Sequence, residues 1–156
     1  HYLEEETGHD EWILNDIARA GGDRAAAAAS EPGVATEAMV AYAYDTVMRG
    51  NPLGFFGMVH VLEGTSVALA LHAADRIQQA LDLPVNAFTY LRSHGELDQQ
   101  HINDLGAILE RFTDEEDRQA VIRCARGIYW LYGHVFRSLD AVAAGIVARA
   151  PQRKTA

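Results

Sequence analysis

Residues 93–101 read Ser93-His94-Gly95-Glu96-Leu97-Asp98-Gln99-Gln100-His101. On a helix advancing about 100° per residue, His94, Asp98 and His101 stand at i, i+4 and i+7 and fall within an arc of about 60° on one face. Two imidazoles and a carboxylate aimed at one spot suit a divalent transition metal such as iron, manganese or zinc. The competing reading is an exposed polar stripe with a helical Asp–His hydrogen bond. Near the start of the chain, Glu6-Thr7-Gly8-His9 sets a carboxylate and an imidazole three residues apart, one above the other on a helix. Glu4, Glu5, Asp10 and Glu11 around them make an acidic solvated face the alternative there. Glu63 differs in kind, because the run from Phe55 to Leu71 is apolar almost all round. A carboxylate in such a helix must be paired, protonated or metal-bound.

These residues need a scaffold of helices, and the chain reads as five of them with no strand. The first covers 1 to about 20, closed by Gly21-Gly22. An alanine tract and Pro32-Gly33 form a linker to a second helix from about Thr36 to Met48. Asn51 and Pro52, as N-cap and first helical residue, open a third over about 53–81. Leu83-Pro84 marks the next boundary, and a fourth helix covers about 85–111 with a break near Ser93. Thr113-x-x-Glu116 has the spacing of a capping box at the head of a fifth, over about 114–148. The expected fold class is therefore an all-α bundle of about five helices, one domain over residues 1–150 with a frayed tail at 151–156. Three carboxylates (Glu6, Glu63, Asp98) and three imidazoles (His9, His94, His101) would come from three of these helices. Bundles build dinuclear carboxylate sites by projecting such sets inward, with Glu-x-x-His as one signature.

In this order and spacing, Glu6-x-x-His9, Glu63 and His94-x-x-x-Asp98-x-x-His101 resemble the motif of the haem-oxygenase-like diiron oxidases and oxygenases, the iron-containing redox enzymes. The resemblance covers most of the chain. It implies a haem-oxygenase-like helical bundle and six metal ligands, Glu6, His9, Glu63, His94, Asp98 and His101. It also implies two iron ions per chain, with manganese or zinc as possible substitutes. Glu63 would bridge or chelate the pair. The implied activity is a non-haem diiron oxidase or oxygenase that uses dioxygen and an external electron donor to oxidise a small organic substrate of the fatty acid, amino acid or amine class. Members of the family commonly carry further helices upstream, so N-terminal helices are expected to be missing from this chain. The alternatives are a non-catalytic helical interaction domain, able to form a homodimer, and a haem-binding relative. Against haem, Val67-Ala68-Leu69-Ala70 stands where haem oxygenases carry the glycines of a kinked helix.

Other residues are placed around this centre. His60, one turn before Glu63, could hydrogen-bond it. Met39, Tyr42, Tyr129 and Tyr132 are candidates to line a substrate pocket, with bundle core as the competing role. Cys124, the single cysteine, lies in an apolar run and reads as core.

Composition closes off other classes. The 156 residues carry 13 Lys+Arg against 22 Asp+Glu, a formal charge of −9. Lys154 is the single lysine and the arginines are scattered, which excludes a phosphate-tracking nucleic-acid surface. One cysteine excludes a disulfide framework and suits a reducing cytoplasm. No uninterrupted apolar stretch reaches the roughly 20 residues of a membrane span.

Overall fold

The computed structural model describes residues 6–143, apart from the side chains of Glu96, Leu97 and residues 140–143. The expected tail at 151–156 and the end of the last helix lie outside that range. Among the described residues the chain is all-helical: α1 His9–Arg19, α2 Arg24–Ala28, α3 Val34–Arg49, α4 Phe55–Leu81, α5 Thr89–Leu109 and α6 Glu115–Ala143, with 3₁₀ turns at Pro52–Gly54 and Val85–Ala87.

This is more helices than the five expected, and the additions have local causes. Asp23 accepts hydrogen bonds from the N–H groups of Ala25 and Ala26, so the alanine tract makes a helix of its own instead of a linker. Pro84 is followed by a separate turn, and Phe88 at φ −132° parts that turn from α5. That placement moves the helix start to Thr89, and α5 then runs unbroken through Ser93. At the head of α6 the cap is Asp114, whose Oδ1 accepts from Glu116 N–H at 2.8 Å, in place of the Thr113 capping box. Other boundaries fall where the sequence puts them. Gly21, at φ +87°, and Gly22 donate to Ala18 and Ile17 and close α1 in a paired C-terminal motif. Asn51 caps the turn at Pro52 through Leu53 N–H.

Contacts gather the described residues into two compact units, 6–30 with 63–104, and 31–62 with 105–143. In the first, Ala74, Ala87 and Phe88 are buried against Ala20, Leu83 and Leu91. Here α4 and α5 approach closely: a Cβ on Gly95 would stand 2.7 Å from Leu71 Cγ. The second unit is built round Val61, Cys124 and Ile128, packed by Met39, Tyr42, Met58, Leu62, Ala125 and Tyr132. Its tightest crossing is at Gly57, where a Cβ would meet the Val121 carbonyl and stand 2.6 Å from Ala125 N.

The segment Pro52–Leu81 reaches a mean hydropathy of 1.4 and is long and apolar enough, by length and composition alone, to cross a membrane. It is not an uninterrupted apolar run, because His60 and Glu63 fall within it. Only 28% of its most apolar window is buried, and Leu69 and Leu81 are left at the surface.

Candidate metal centre

All six candidate ligands lie in the first unit. His9 stands at the first position of α1, directly after Gly8, whose φ of +89° is a left-handed conformation that glycine adopts without strain. Glu6 therefore lies in the turn before the helix rather than on it, and the turn still folds its carboxylate back so that Oε2 is 3.0 Å from His9 Nδ1. Glu63 comes from α4, and His94, Asp98 and His101 from one face of α5. His9, Glu63, His94, Asp98 and His101 are buried, Asp98 to 2% exposure, and Glu6 is half-buried.

The donor atoms converge in two groups. Glu6, His9 and His94 form one and Glu6, Glu63 and His101 the other, each with its ligand atoms within 4.8 Å of one another. In the first, His9 Nδ1 lies 3.0 Å from both Glu6 Oε2 and His94 Nε2, and the latter two are 4.0 Å apart. In the second, His101 Nδ1 lies 3.7 Å from Glu6 Oε1 and 3.6 Å from Glu63 Oε1. The carboxylate common to both groups is Glu6, one oxygen facing each, where the family resemblance gives the bridging role to Glu63. Asp98 Oδ1 is 3.6 Å from the same His101 Nδ1.

The protons show what this arrangement suits. His94 Nδ1 is 2.9 Å from the Tyr90 carbonyl, which can only accept, so Nδ1 is the donor there, and in the neutral ring a ligand must have, Nε2 turns a lone pair towards His9 and Glu6. A single proton on His9 Nδ1 then faces two acceptors at equal distance. A cation between Glu6 Oε2, His9 Nδ1 and His94 Nε2 would satisfy all three, and histidine with carboxylate is a donor set that iron accepts. The residues fit a metal.

Asp98 is pushed above the usual carboxylate range by burial and by the charge of Glu6; the Ser66 hydroxyl, His94 and His101 pull in the other direction. The upward direction marks a carboxylate placed where charge is costly without a counter-ion. Aromatic rings enclose the two paired imidazoles. Trp12 lies over His9 at a centroid distance of 4.5 Å, and Tyr90 over His94 at 4.0 Å. Sequence reasoning did not assign roles to Ser66, Trp12 or Tyr90. Each is one helical turn from a ligand (Glu63, His9 and His94), and that spacing is the signal that could have found them.

The remaining candidates belong to the second unit. Met39, Tyr42 and Tyr132 pack against the core cluster that holds Cys124, and the Tyr42 hydroxyl donates to the Arg123 carbonyl at 3.3 Å. Burial raises the Tyr132 and Cys124 groups above their usual values. His60 is exposed and lines a shallow groove of about 330 Å³ together with Leu109, Arg126 and Tyr129.

A family model described as iron-containing redox enzyme matches residues 1–133. No curated protein and no solved structure matches the chain.

Proposed function

The chain belongs to the iron-containing redox enzyme family, within the haem-oxygenase-like superfamily, and from that premise we propose that Glu6, His9, Glu63, His94, Asp98 and His101 hold a dinuclear non-haem iron centre. Bound iron supplies the redox chemistry by which dioxygen oxidises a small organic substrate, with an external electron donor for repeated turnover. The observation that carries this reading is the sharing of Glu6 between two triads, each of which has at least one carboxylate and one imidazole.

The chain's own residues divide the work. Glu6 presents Oε2 to the His9–His94 pair and Oε1 to His101, so it would offer one oxygen to each group of donors. Glu63 adds a second carboxylate on the His101 side, and Asp98 a third within reach of the same ring. The Ser66 hydroxyl holds Asp98, and the Tyr90 carbonyl holds the His94 ring, so both ligands are oriented by hydrogen bonds to their outer atoms. Trp12 and Tyr90 cover the imidazoles and limit the access of water to that side.

The test is anaerobic loading with ferrous iron, a count of metal per chain, and admission of oxygen while the absorbance is followed. Two irons per chain with an oxygen-dependent absorbance change are expected. Fewer than one iron per chain and no response to oxygen would refute the proposal. Imidazoles must be neutral and carboxylates ionised to bind, so affinity should fall as pH drops through the imidazole range.

A further inference from the structure

Asp16 is a carboxylate at 8% exposure that none of the roles above uses. It stands on α1 seven residues after His9, two turns along the same face. Its Oδ2 accepts the Tyr90 N–H at 2.8 Å, and its Oδ1 accepts the Thr89 hydroxyl at 2.6 Å. Thr89 and Tyr90 are the first two residues of α5, whose leading N–H groups have no partner within the helix. The residue before them, Phe88, has no side-chain acceptor to offer. Asp16 thus supplies from α1 the cap that α5 lacks locally. Arg19 reinforces the joint, donating from Nη1 to Asp16 Oδ1 at 3.2 Å and to the Asn86 carbonyl at 3.2 Å.

The same two helices carry the paired imidazoles. Tyr90, fixed through its N–H by Asp16, presents its carbonyl to His94 Nδ1 at 2.9 Å, and His94 Nε2 in turn faces His9 Nδ1 at 3.0 Å. The links form a closed circuit from His9 along α1 to Asp16, across to Tyr90, along α5 to His94 and back. We infer that Asp16 is a positioning residue: it sets the register of α1 against α5 so that His94 keeps its proton on Nδ1 and offers the Nε2 lone pair to the metal. The inference rests on the reading of His9 and His94 as ligands, although its geometric half does not need a metal.

The experiment compares the intact protein with Asp16→Asn, which keeps the volume, removes the charge beside Arg19 and leaves one acceptor oxygen for the Thr89 hydroxyl, the Tyr90 N–H and the Arg19 guanidinium. Two readouts are used: the His94 tautomer in metal-free protein, by long-range proton–nitrogen correlation, and cobalt(II) affinity with its ligand-field spectrum. Asp16→Asn is expected to lose the Nδ1–H preference and to bind cobalt roughly 10- to 100-fold more weakly, the range typical of groups that orient a ligand. Thr89→Ala, which leaves the bond to Tyr90 N–H in place, is expected to lower the melting temperature while the tautomer is retained. Asp16→Glu keeps the charge beside Arg19 and displaces the acceptor; it carries the same readouts if Asp16→Asn does not fold. A lower melting temperature with tautomer and cobalt affinity unchanged would make Asp16 a structural cap and overturn the inference. A wild-type protein that binds neither cobalt nor iron would refute the metal reading alone, and the tautomer would still decide the role of Asp16.

Discussion

At Asp98 the protein holds a carboxylate that burial pushes above its usual range. A carboxyl whose folded value is raised favours the protonated form on folding, so its penalty is present at neutral pH. The penalty eases as pH falls through the raised value, and it is gone only below the ordinary value of the unfolded chain. Asp98→Asn should therefore be more stable than wild type in chelator at pH 7, and the gap should narrow as urea denaturation is repeated at successively lower pH. A gap that widens would show that the carboxylate is held by favourable hydrogen bonds instead. The same substitution should weaken metal binding, and that opposition of effects is what separates a ligand from a packing residue. Glu6 carries a second prediction at this scale. Because its two oxygens face different triads, Glu6→Ala should weaken both metal-binding events by more than about 100-fold, beyond what loss of an orienting group costs. His101→Ala should spare the event at His9 and His94. Stepwise calorimetric titration with cobalt(II) distinguishes one lost event from two.

Between elements, the decisive contacts are those a side chain cannot enter. At Gly57 an added methyl meets the backbone of α6, at the Val121 carbonyl and Ala125 N, and backbone does not yield as a flexible side chain does. Gly57→Ala should cost about 3 kcal/mol or more by overpacking. Gly106 is also a helical glycine, but it has nothing within 4 Å of its Cβ position. Gly106→Ala should stabilise by roughly 0.5–1 kcal/mol from helix propensity alone. Equal effects in chemical denaturation of the two variants would refute the crossing at Gly57. The helices themselves were legible to different degrees. The C-terminal end of α1 and the start of the Pro52 turn follow from local chemistry, glycine at positive φ and proline after an Asn cap, and the sequence displays both; the start of α1 at His9, after Gly8, was not foreseen in a helix expected from residue 1. The start of α5 does not, because its cap is Asp16, 73 residues away from Thr89, and no window along the chain contains both partners.

For the whole molecule, a site assembled from α1, α4 and α5 couples metal binding to folding. A ligand that binds the native state alone stabilises it by RT ln(1 + [L]/Kd), about 2.7 kcal/mol at 100 times Kd. Cobalt(II) or anaerobic ferrous iron should raise the melting temperature accordingly, and a chelator should reverse the shift. Hydrogen exchange should slow on loading within residues 9–19 and 89–104, which carry ligands, and change least around Cys124, in the other unit. Uniform protection, or none, would argue against a metal centre in the first unit.

The charge of −9 is a property of composition alone. The donor types, their helical spacings and the all-α class are likewise local properties, since a period of 3.6 residues and a cap both act within a few residues. Whether six such residues meet depends on how separate helices pack, and that was decided only in three dimensions. Tertiary structure made Glu6 the shared carboxylate: the local turn at Gly8 folds it back over His9, and only helix packing brings its other oxygen to within 3.7 Å of His101 Nδ1. It set Met39, Tyr42 and Tyr132 against the core that contains Cys124, because an aromatic on an amphipathic helix reads the same whether it lines a pocket or fills an interior. It also gave α5 a cap from α1, a contact whose energy depends on the approach of two helices far apart in the chain.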